Sequence, residues 1–143
     1  MSLIENLTNQ LRRDEGEVLH AYQDHLGFWT IGIGRLIDKR KGGGLTKDEA
    51  AYLLGNDIAR FTTALRTRLP WFGRLDEARQ GVLANMAFQM GVEGLLGFRN
   101  TLGMIERGEY EAAAAAMLQS KWAQQTPQRA ARLSEQMRTG VWQ

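Results

Sequence analysis

Helical periodicity runs through most of this 143-residue chain, and one short stretch alternates in the manner of a β-strand. Between residues 28 and 34, one face carries Trp29, Ile31 and Ile33. The other face carries Thr30, which we expect to point away from the apolar side. Because so short a strand region leaves most residues to helices, the pattern predicts a predominantly α-helical α+β fold.

Capping boxes mark the starts of two helices. Ser2 and Glu5 have the required spacing for the first helix, which Gly16 is expected to end. Thr46 and Glu49 have the same spacing. They predict a second helix, which should extend for about 20 residues before a proline stops it.

Further helices are predicted in the second half of the chain. Apolar spacing and helix-ending glycines place them at residues 75–90, 100–107 and 110–122. Thr126 and Pro127 then supply an N-cap and a first-turn proline for the last helix.

These elements predict one domain in two lobes. We expect a small α/β lobe over about residues 12–45, a connecting helix over 46–69, and a helical lobe that combines 70–143 with 1–11. A chain of this length can bury roughly two-thirds of its unfolded surface. Because it has no cysteine, its fold depends on packing rather than on disulfides.

The charge balance gives no indication of a nucleic-acid partner. The chain has 18 basic and 16 acidic residues, an excess too small to indicate nucleic acid, and it carries no nucleic-acid recognition motif.

No run approaches the roughly 20 apolar residues needed to cross a bilayer, so we expect no stable membrane insertion. The first residues lack the basic and apolar regions of a signal peptide. We therefore expect no export by that route.

The candidate catalytic residues are Glu15, Asp24 and Thr30, which lie in or near the predicted strand region. Hydrolysis of a glycosidic bond needs two carboxyl groups, one to protonate the leaving oxygen and one to stabilise positive charge or activate water. Taken singly, each residue also has a structural interpretation, as a surface acid, a turn aspartate and a strand threonine.

Several motifs accompany these three residues. They are Thr30-Ile31-Gly32-Ile33-Gly34, the segment Asn85-Met86-Ala87-Phe88-Gln89-Met90-Gly91, and Trp122 with Gln125-Thr126-Pro127-Gln128-Arg129. In this order, and over nearly the whole chain, they resemble the phage-type lysozymes of the T-even bacteriophage kind. A Glu and an Asp alone would be a weak signal, but several motifs in this arrangement are specific.

The resemblance implies a two-lobed lysozyme fold and a muramidase, which cleaves the β-1,4 bond between N-acetylmuramic acid and N-acetylglucosamine in peptidoglycan. It assigns Glu15 as the general acid, Asp24 as the second carboxylate and Thr30 as the hydroxyl that helps to place the attacking group. It favours inversion at the anomeric carbon, and it implies neither a cofactor nor a metal.

Other residues take roles from the same resemblance. The positions that match the substrate cleft are Leu36, Phe88, Gln89 and Thr101. The amide of Gln89 can both donate and accept hydrogen bonds with acetamido groups. Arg129 matches a residue that forms an ion pair with Glu15 and that serves orientation and stability rather than proton transfer. Trp122 fits core packing somewhat better than direct sugar contact.

Three features depart from the family pattern. Arg35 stands where related lysozymes commonly carry His, so a histidine-based ion pair is absent or replaced. Ala116 stands where the T-even enzyme has a polar residue at the cleft. The loop over residues 37–45 is shorter and more basic, which predicts a different reach of the cleft or a different tolerance for peptide stems.

Two rival functions remain open at this stage. A lytic transglycosylase cuts the same bond with one acidic residue, although Asp24 and Thr30 favour hydrolysis. A non-catalytic wall-binding module would keep the fold without activity. A zinc site is disfavoured because the chain has no cysteine and because His20 and His25 do not have the spacing of one helical face.

For a phage enzyme of this kind, we expect a monomer that accumulates in the host cytoplasm. Its peptidoglycan substrate lies beyond the membrane. We therefore expect it to depend on a holin-type, membrane-permeabilising partner that lets it reach the periplasm and cell wall.

Overall fold

The computed structural model describes residues 2–37 and 42–143 of the chain. It divides into two compact units, of which the first ends at Tyr52 and the second comprises Leu53–Gln143. All three basic residues of the predicted loop, at positions 39–41, lie outside the described residues. The predicted assignment of residues 1–11 to the helical lobe remains a prediction.

The first unit begins with helix α1, Leu3–Glu15, as the capping box predicts. The Ser2 hydroxyl accepts from the Glu5 N–H at 3.2 Å, and the Glu5 carboxylate accepts from the Ser2 N–H at 2.8 Å. The helix ends at Gly16, where the prediction placed its stop. Local sequence therefore determines both ends of α1.

A small antiparallel sheet follows, with strands β1 (Val18–Gln23), β2 (Trp29–Gly32) and β3 (Arg35–Leu36) in that order. The strand predicted over residues 28–34 is too long, because β2 ends at Gly32 and the chain turns before β3. Gly32 and Gly34 both have φ +70°, a conformation that glycine adopts without steric cost and that favours a turn here. The strand β1 was not predicted.

Thr30 lies on the face of β2 opposite to Trp29, as the alternation predicts, but the face that carries Thr30 is the covered one. Thr30 is 3% exposed, whereas its neighbour Trp29, on the apolar face, is 53% exposed. Alternation along one strand separates two faces, but the turns and cross-strand register decide which face is covered. The sequence of β2 alone therefore does not predict which of its two faces is buried.

Helix α2, Lys47–Arg68, begins at the second capping box, as predicted. Thr46 N–H donates to Glu49 Oε1 at 3.0 Å, and Glu49 N–H donates to Thr46 Oγ1 at 3.1 Å. The boundary between the two units falls within this helix, after Tyr52.

The rest of the second unit is helical. It contains a 3₁₀ turn and five α-helices, which are Phe72–Arg74, α3 (Glu77–Leu96), α4 (Arg99–Glu106), α5 (Tyr110–Leu118), α6 (Lys121–Gln125) and α7 (Pro127–Thr139). As predicted, a helical segment ends at Gly91, whose φ of 80° and ψ of 159° are not helical, and a second segment follows it within α3. The single helix predicted over 110–122 is two helices, because Ser120 accepts from the Ala123 N–H and caps a new one.

The core of the second unit is assembled from all of these helices. Its largest fully buried side chains are Phe72, Leu65, Leu83, Met86, Leu95, Ile105, Met117, Met137 and Val82. This helical core, together with the small antiparallel sheet, confirms the predicted α+β class.

Arg79 ties the end of α7 to the start of α3. Its Nε donates to Met137 O at 2.7 Å and its Nη2 donates to Arg138 O at 3.0 Å. Its guanidinium lies 3.6 Å from the centre of the Tyr110 ring and pairs with Asp76 at 3.0 Å. One side chain thus satisfies carbonyls that the end of a helix leaves unpaired.

Candidate active site

Glu15 is the last residue of α1, and the chain turns sharply after it. Gly16 has φ 76° and ψ 168°, and its N–H donates to Arg12 O at 3.0 Å. A side chain at this positive φ would add steric cost that glycine avoids. Glu15 is therefore held at an exposed helix end, immediately before β1.

The carboxylate of Glu15 lies against the turn between β2 and β3. A Cβ placed on Gly34 would lie 2.9 Å from Glu15 Oε2, closer than side-chain carbons are found. Gly34 also has φ +70°. The positive φ favours glycine at this position, and a side chain here would also have to displace the Glu15 carboxylate.

Asp24 occupies the turn between β1 and β2, and its carboxylate organises that turn. Oδ1 accepts from the Leu26 N–H at 2.9 Å and from the Phe28 N–H at 2.8 Å. Both bonds end on the same oxygen, so Oδ2 can accept from another group. The turn interpretation and the catalytic interpretation of Asp24 are therefore compatible, because each uses a different oxygen.

The backbone of Phe28 connects Asp24 to Thr30. Thr30 Oγ1 donates to Phe28 O at 3.0 Å, and the same carbonyl accepts from the Asp24 N–H at 2.9 Å. The Thr30 hydroxyl donates its only proton to this carbonyl. Thr30 Oγ1 can therefore take part in a further hydrogen bond only as an acceptor. Asp24 and Thr30 are thus positioned by one piece of backbone.

Thr30 lies on the middle strand, and its cross-strand neighbours are Tyr22 on β1 and Leu36 on β3. Residues directly opposite each other in an antiparallel sheet share a face. The structure therefore brings Leu36, a predicted cleft residue, to the face that carries Thr30.

Arg35 replaces the histidine expected from the resemblance and has partners of its own. Its Nε donates to Gly44 O at 2.7 Å, and its Nη2 donates to Glu49 Oε1 at 3.0 Å. The pKa of Glu49 is lowered, first by its hydrogen bonds from Thr46 and to a smaller extent by the charge of Arg35. Arg35 thus joins β3 to the start of α2 inside the first unit.

The second unit contains the remaining predicted site residues. Phe88 is partly exposed, and its ring centre lies 5.6 Å from that of Phe61. It borders a groove of about 320 Å³, which is lined by Leu54, Ile58, Phe61, Gly81, Ala84, Asn85, Phe88, Arg129 and Trp142. Gln89, the next residue, is exposed on α3 and accepts a hydrogen bond from Trp122 Nε1 at 2.8 Å.

Arg129 is bound by a residue that the sequence analysis did not single out. Its Nε and Nη2 donate to Asn85 Oδ1 at 2.9 Å and 2.7 Å. Asn85 was noted only as part of a motif, and its position on α3 facing the start of α7 depends on helix packing that the sequence pattern does not contain. The predicted ion pair between Arg129 and Glu15 would join the two units and remains a prediction.

Two further positions from the sequence analysis are poorly suited to contact a substrate, because one is buried and the other has no polar group. Thr101 is 7% exposed on α4, so its predicted substrate contact involves little of its surface. Ala116 is half-buried on α5, with no polar group to offer a sugar.

Chemically, the first unit groups two carboxylates and a hydroxyl around the sheet. This set supplies what glycosidic hydrolysis requires, namely a proton donor, a second carboxylate and an acceptor that can orient water. Across residues 2–37 and 42–143, no cluster of three His, Asp or Glu side chains could hold a metal ion.

Comparisons with known proteins agree with this chemistry. The family model described as phage lysozyme matches residues 12–138. The chain is 30% identical to probable T4-type lysozyme 1 of Dictyostelium discoideum over 97% of each chain. It is 30% identical to the endolysin of Salmonella phage P22 over 89% of this chain and 88% of that one. It is 34% identical to the pre-baseplate central spike protein Gp5 of Enterobacteria phage T4, over 94% of this chain but 28% of that protein.

Proposed function

This chain belongs to the phage lysozyme family, and from that membership and the geometry around Phe28 we propose that it is a muramidase. It would hydrolyse the β-1,4 bond between N-acetylmuramic acid and N-acetylglucosamine in bacterial peptidoglycan. The observation that carries the proposal is the shared anchoring of Asp24 and Thr30 on the backbone of one residue, Phe28, with Glu15 packed against the next turn.

In the proposed mechanism, Glu15 protonates the leaving glycosidic oxygen. Asp24 Oδ2 and Thr30 Oγ1 each accept a hydrogen bond from the attacking water. Both can do so because Asp24 Oδ1 is engaged by backbone N–H groups and the Thr30 proton is engaged by Phe28 O. Two acceptors that hold both hydrogens of one water leave a lone pair for attack on the anomeric carbon, and the Asp24 carboxylate takes the proton that this water loses.

Release of new reducing ends from purified peptidoglycan tests this proposal. We expect release by the native chain and a fall of about 10²-fold or more in Glu15→Gln, the usual scale of general acid catalysis. Asp14→Asn is the matched control, because Asp14 is the neighbouring exposed acid and its ion pair with Arg13 is long, at 3.7 Å. This control should keep full activity.

Two results would contradict the proposal and identify a rival. Loss of turbidity without new reducing ends would indicate a lytic transglycosylase or a peptide-bond hydrolase. Binding to peptidoglycan without any reaction would indicate a wall-binding module.

We further propose that the chain acts as an endolysin, as the name of the P22 relative suggests. It would accumulate as a monomer in the host cytoplasm until a holin-type protein permeabilises the membrane. Across the described residues, no helix is both long enough and apolar enough to span a bilayer.

Induced expression in a Gram-negative host should leave the culture intact until the membrane is permeabilised. Lysis on induction alone would contradict the need for a permeabilising partner.

A further inference from the structure

The third strand of the sheet is too short for its own ladder to hold it firmly. β3 consists of 2 residues, Arg35 and Leu36, which pair with β2 along one edge. So short a strand has few backbone bonds, and its position depends on what lies along its other edge. Gly34 comes directly before β3, in the turn that the Glu15 carboxylate contacts. The position of that turn therefore depends on how β3 is held.

Gly44 lies along the other edge of β3 and makes two bonds to it. Gly44 N–H donates to Leu36 O at 2.9 Å, and Arg35 Nε donates to Gly44 O at 2.7 Å. The first bond joins two backbones, whereas the second needs the guanidinium of Arg35. The Arg35 side chain thus adds a second connection between β3 and the segment that leads into α2.

The guanidinium also bonds to a residue that is fixed by its own helix cap. Arg35 Nη2 donates to Glu49 Oε1 at 3.0 Å, and the same oxygen accepts from the Thr46 N–H at 3.0 Å. Thr46 Oγ1 in turn accepts from the Glu49 N–H at 3.1 Å. Nε and Nη2 belong to one rigid planar group, so their two bonds fix the orientation of the Arg35 side chain. β3 is thus tied to the first turn of α2.

The contact between Gly34 and Glu15 extends this connection to the candidate general acid. A Cβ placed on Gly34 would lie 2.9 Å from Glu15 Oε2 and 3.1 Å from both Cδ and Cγ, so the end of this side chain rests on the turn. Among the described residues, the guanidinium of Arg35 bonds to Gly44 and Glu49 rather than to Glu15. Its influence on the acid therefore passes through the backbone of the turn.

We propose that Arg35 is a positioning residue for Glu15, because its link to α2 holds the turn on which the Glu15 carboxylate rests. This inference rests on the proposed function, in which Glu15 is the general acid. The effect of the link is geometric, since a small displacement of a catalytic group lowers the rate of the chemical step.

Kinetics of Arg35→Met test the proposal. Methionine fills space flexibly, as the arginine stem does, but has no N–H donor for Gly44 O or Glu49. For release of reducing ends from soluble peptidoglycan fragments, we expect kcat to fall about tenfold and KM to change less than about twofold. An unchanged kcat in the folded variant, or a loss confined to KM, would overturn the proposal.

Thr46→Ala is the matched control for a general loss of stability. It removes an acceptor from the same capping box but leaves the Thr46 N–H and both Arg35 bonds in place. This variant should unfold at a lower denaturant concentration than the native chain and yet keep its kcat. If Thr46→Ala loses as much kcat as Arg35→Met, the loss reflects stability at α2 and the proposal is wrong.

Glu49→Gln is the second variant if Arg35→Met does not fold. Glutamine keeps an oxygen for the Thr46 N–H and for Arg35 Nη2, but a neutral acceptor makes a weaker bond to the guanidinium. We expect kcat to fall about threefold, again with little change in KM. A kcat equal to that of the native chain would contradict the proposal.

A double-mutant cycle with Gly34→Ala tests whether Arg35 acts through the turn. Gly34→Ala itself displaces the Glu15 carboxylate, so the addition of Arg35→Met should lower kcat by less than about twofold more. On the Gly32→Ala background, where a Cβ has open space, the same addition should still cost about tenfold. Equal losses on the two backgrounds would show that Arg35 does not act through Gly34.

A carboxyl signal reports on the same contact without catalysis. The ¹³Cδ resonance of Glu15, assigned by its loss in Glu15→Gln, should shift in Arg35→Met towards its position in Gly34→Ala. It should keep its native position in Thr46→Ala. A resonance that does not move in Arg35→Met refutes the inference. A native chain that releases no reducing ends refutes the muramidase instead, and this resonance still decides whether Arg35 positions Glu15.

Discussion

The two units of this protein obtain their order in different ways. In the second unit, large side chains such as Phe72 and Leu65 are completely buried. In the first unit, Thr30 is the only buried side chain among those described, and large apolar residues such as Leu19 and Leu26 are mostly exposed. The first unit is instead ordered by capping boxes, glycine turns and the hydrogen bonds of Asp24 and Arg35.

The residues that stabilise the fold by burial and the candidate catalytic residues therefore lie in different units. Apolar burial contributes roughly 25 cal/mol per Å², so most of the stabilisation by burial belongs to the second unit. Hydrogen-bonded turns fix the positions of individual polar atoms, and that is what the candidate catalytic residues need. Substitutions in the core of the second unit should therefore mainly lower stability. Substitutions at the turns of the first unit should mainly lower activity.

The largest expected effect is on the stability of the second unit. Phe72→Ala removes a fully buried ring and should lower the free energy of unfolding by about 3–5 kcal/mol in chemical denaturation. Leu26→Ala, at a position 67% exposed in the first unit, should change it by less than about 0.5 kcal/mol. Equal costs for the two variants would refute the comparison.

Asp24→Asn should affect activity rather than stability. Asparagine keeps an oxygen for the N–H groups of Leu26 and Phe28 but loses the second carboxylate oxygen. We expect reducing-end release to fall about 10²-fold, while the free energy of unfolding changes by less than about 0.5 kcal/mol.

Asp24→Ala is the companion variant, because it also removes the turn acceptor. It should lose a further 1–2 kcal/mol or so of stability. If Asp24→Asn were as unstable as Asp24→Ala, the separation of the two oxygens would be wrong.

Gly34→Ala should displace Glu15, and Gly32→Ala provides its control. Both glycines have φ +70°, but a Cβ meets the Glu15 carboxylate only at Gly34 and has open space at Gly32. Both variants should lose about 1–2 kcal/mol of stability from backbone strain. Reducing-end release should fall roughly tenfold more in Gly34→Ala than in Gly32→Ala. Matching activities would mean that Glu15 does not depend on this contact.

The smallest expected effect concerns the pH dependence of the capping box at α2. The folded pKa of Glu49 is lowered by Thr46 and Arg35, so its ionised form stabilises the fold above its unfolded pKa. This contribution is lost as the pH falls through the folded pKa. Thermal unfolding between pH 6 and about pH 3 should therefore show a shallower loss of Tm in Glu49→Gln than in the native chain. Identical slopes would exclude the contribution of Glu49.

Residues that act on near neighbours in sequence could be predicted, and residues that depend on packing could not. Ser2 and Thr46 were recognised as helix starts because each cap bonds to a residue three positions away. The buried face of Thr30 was missed because cross-strand register and turns determine it. Gly91 was predicted to end a helix, and the helix does break there, but the second helical segment that runs on to Leu96 was not predicted.

The same distinction between local contacts and packing contacts applies to the candidate site. Glu15, Asp24 and Thr30 were identified through motifs, but their positions depend on Gly34 and on the backbone of Phe28, whose role no pattern of side-chain types reveals. Asn85 and the orientation of the Gln89 amide likewise follow from contacts between helices.

The bonds from Arg79 to Met137 and Arg138 also have a consequence for the protein during its synthesis. These contacts join residues 58 and 59 positions apart, and the later partners lie in α7. A ribosome makes a chain from its N-terminus at roughly 5–20 residues per second. The helical core, which includes Met137, therefore stays incomplete during synthesis until α7 has been made.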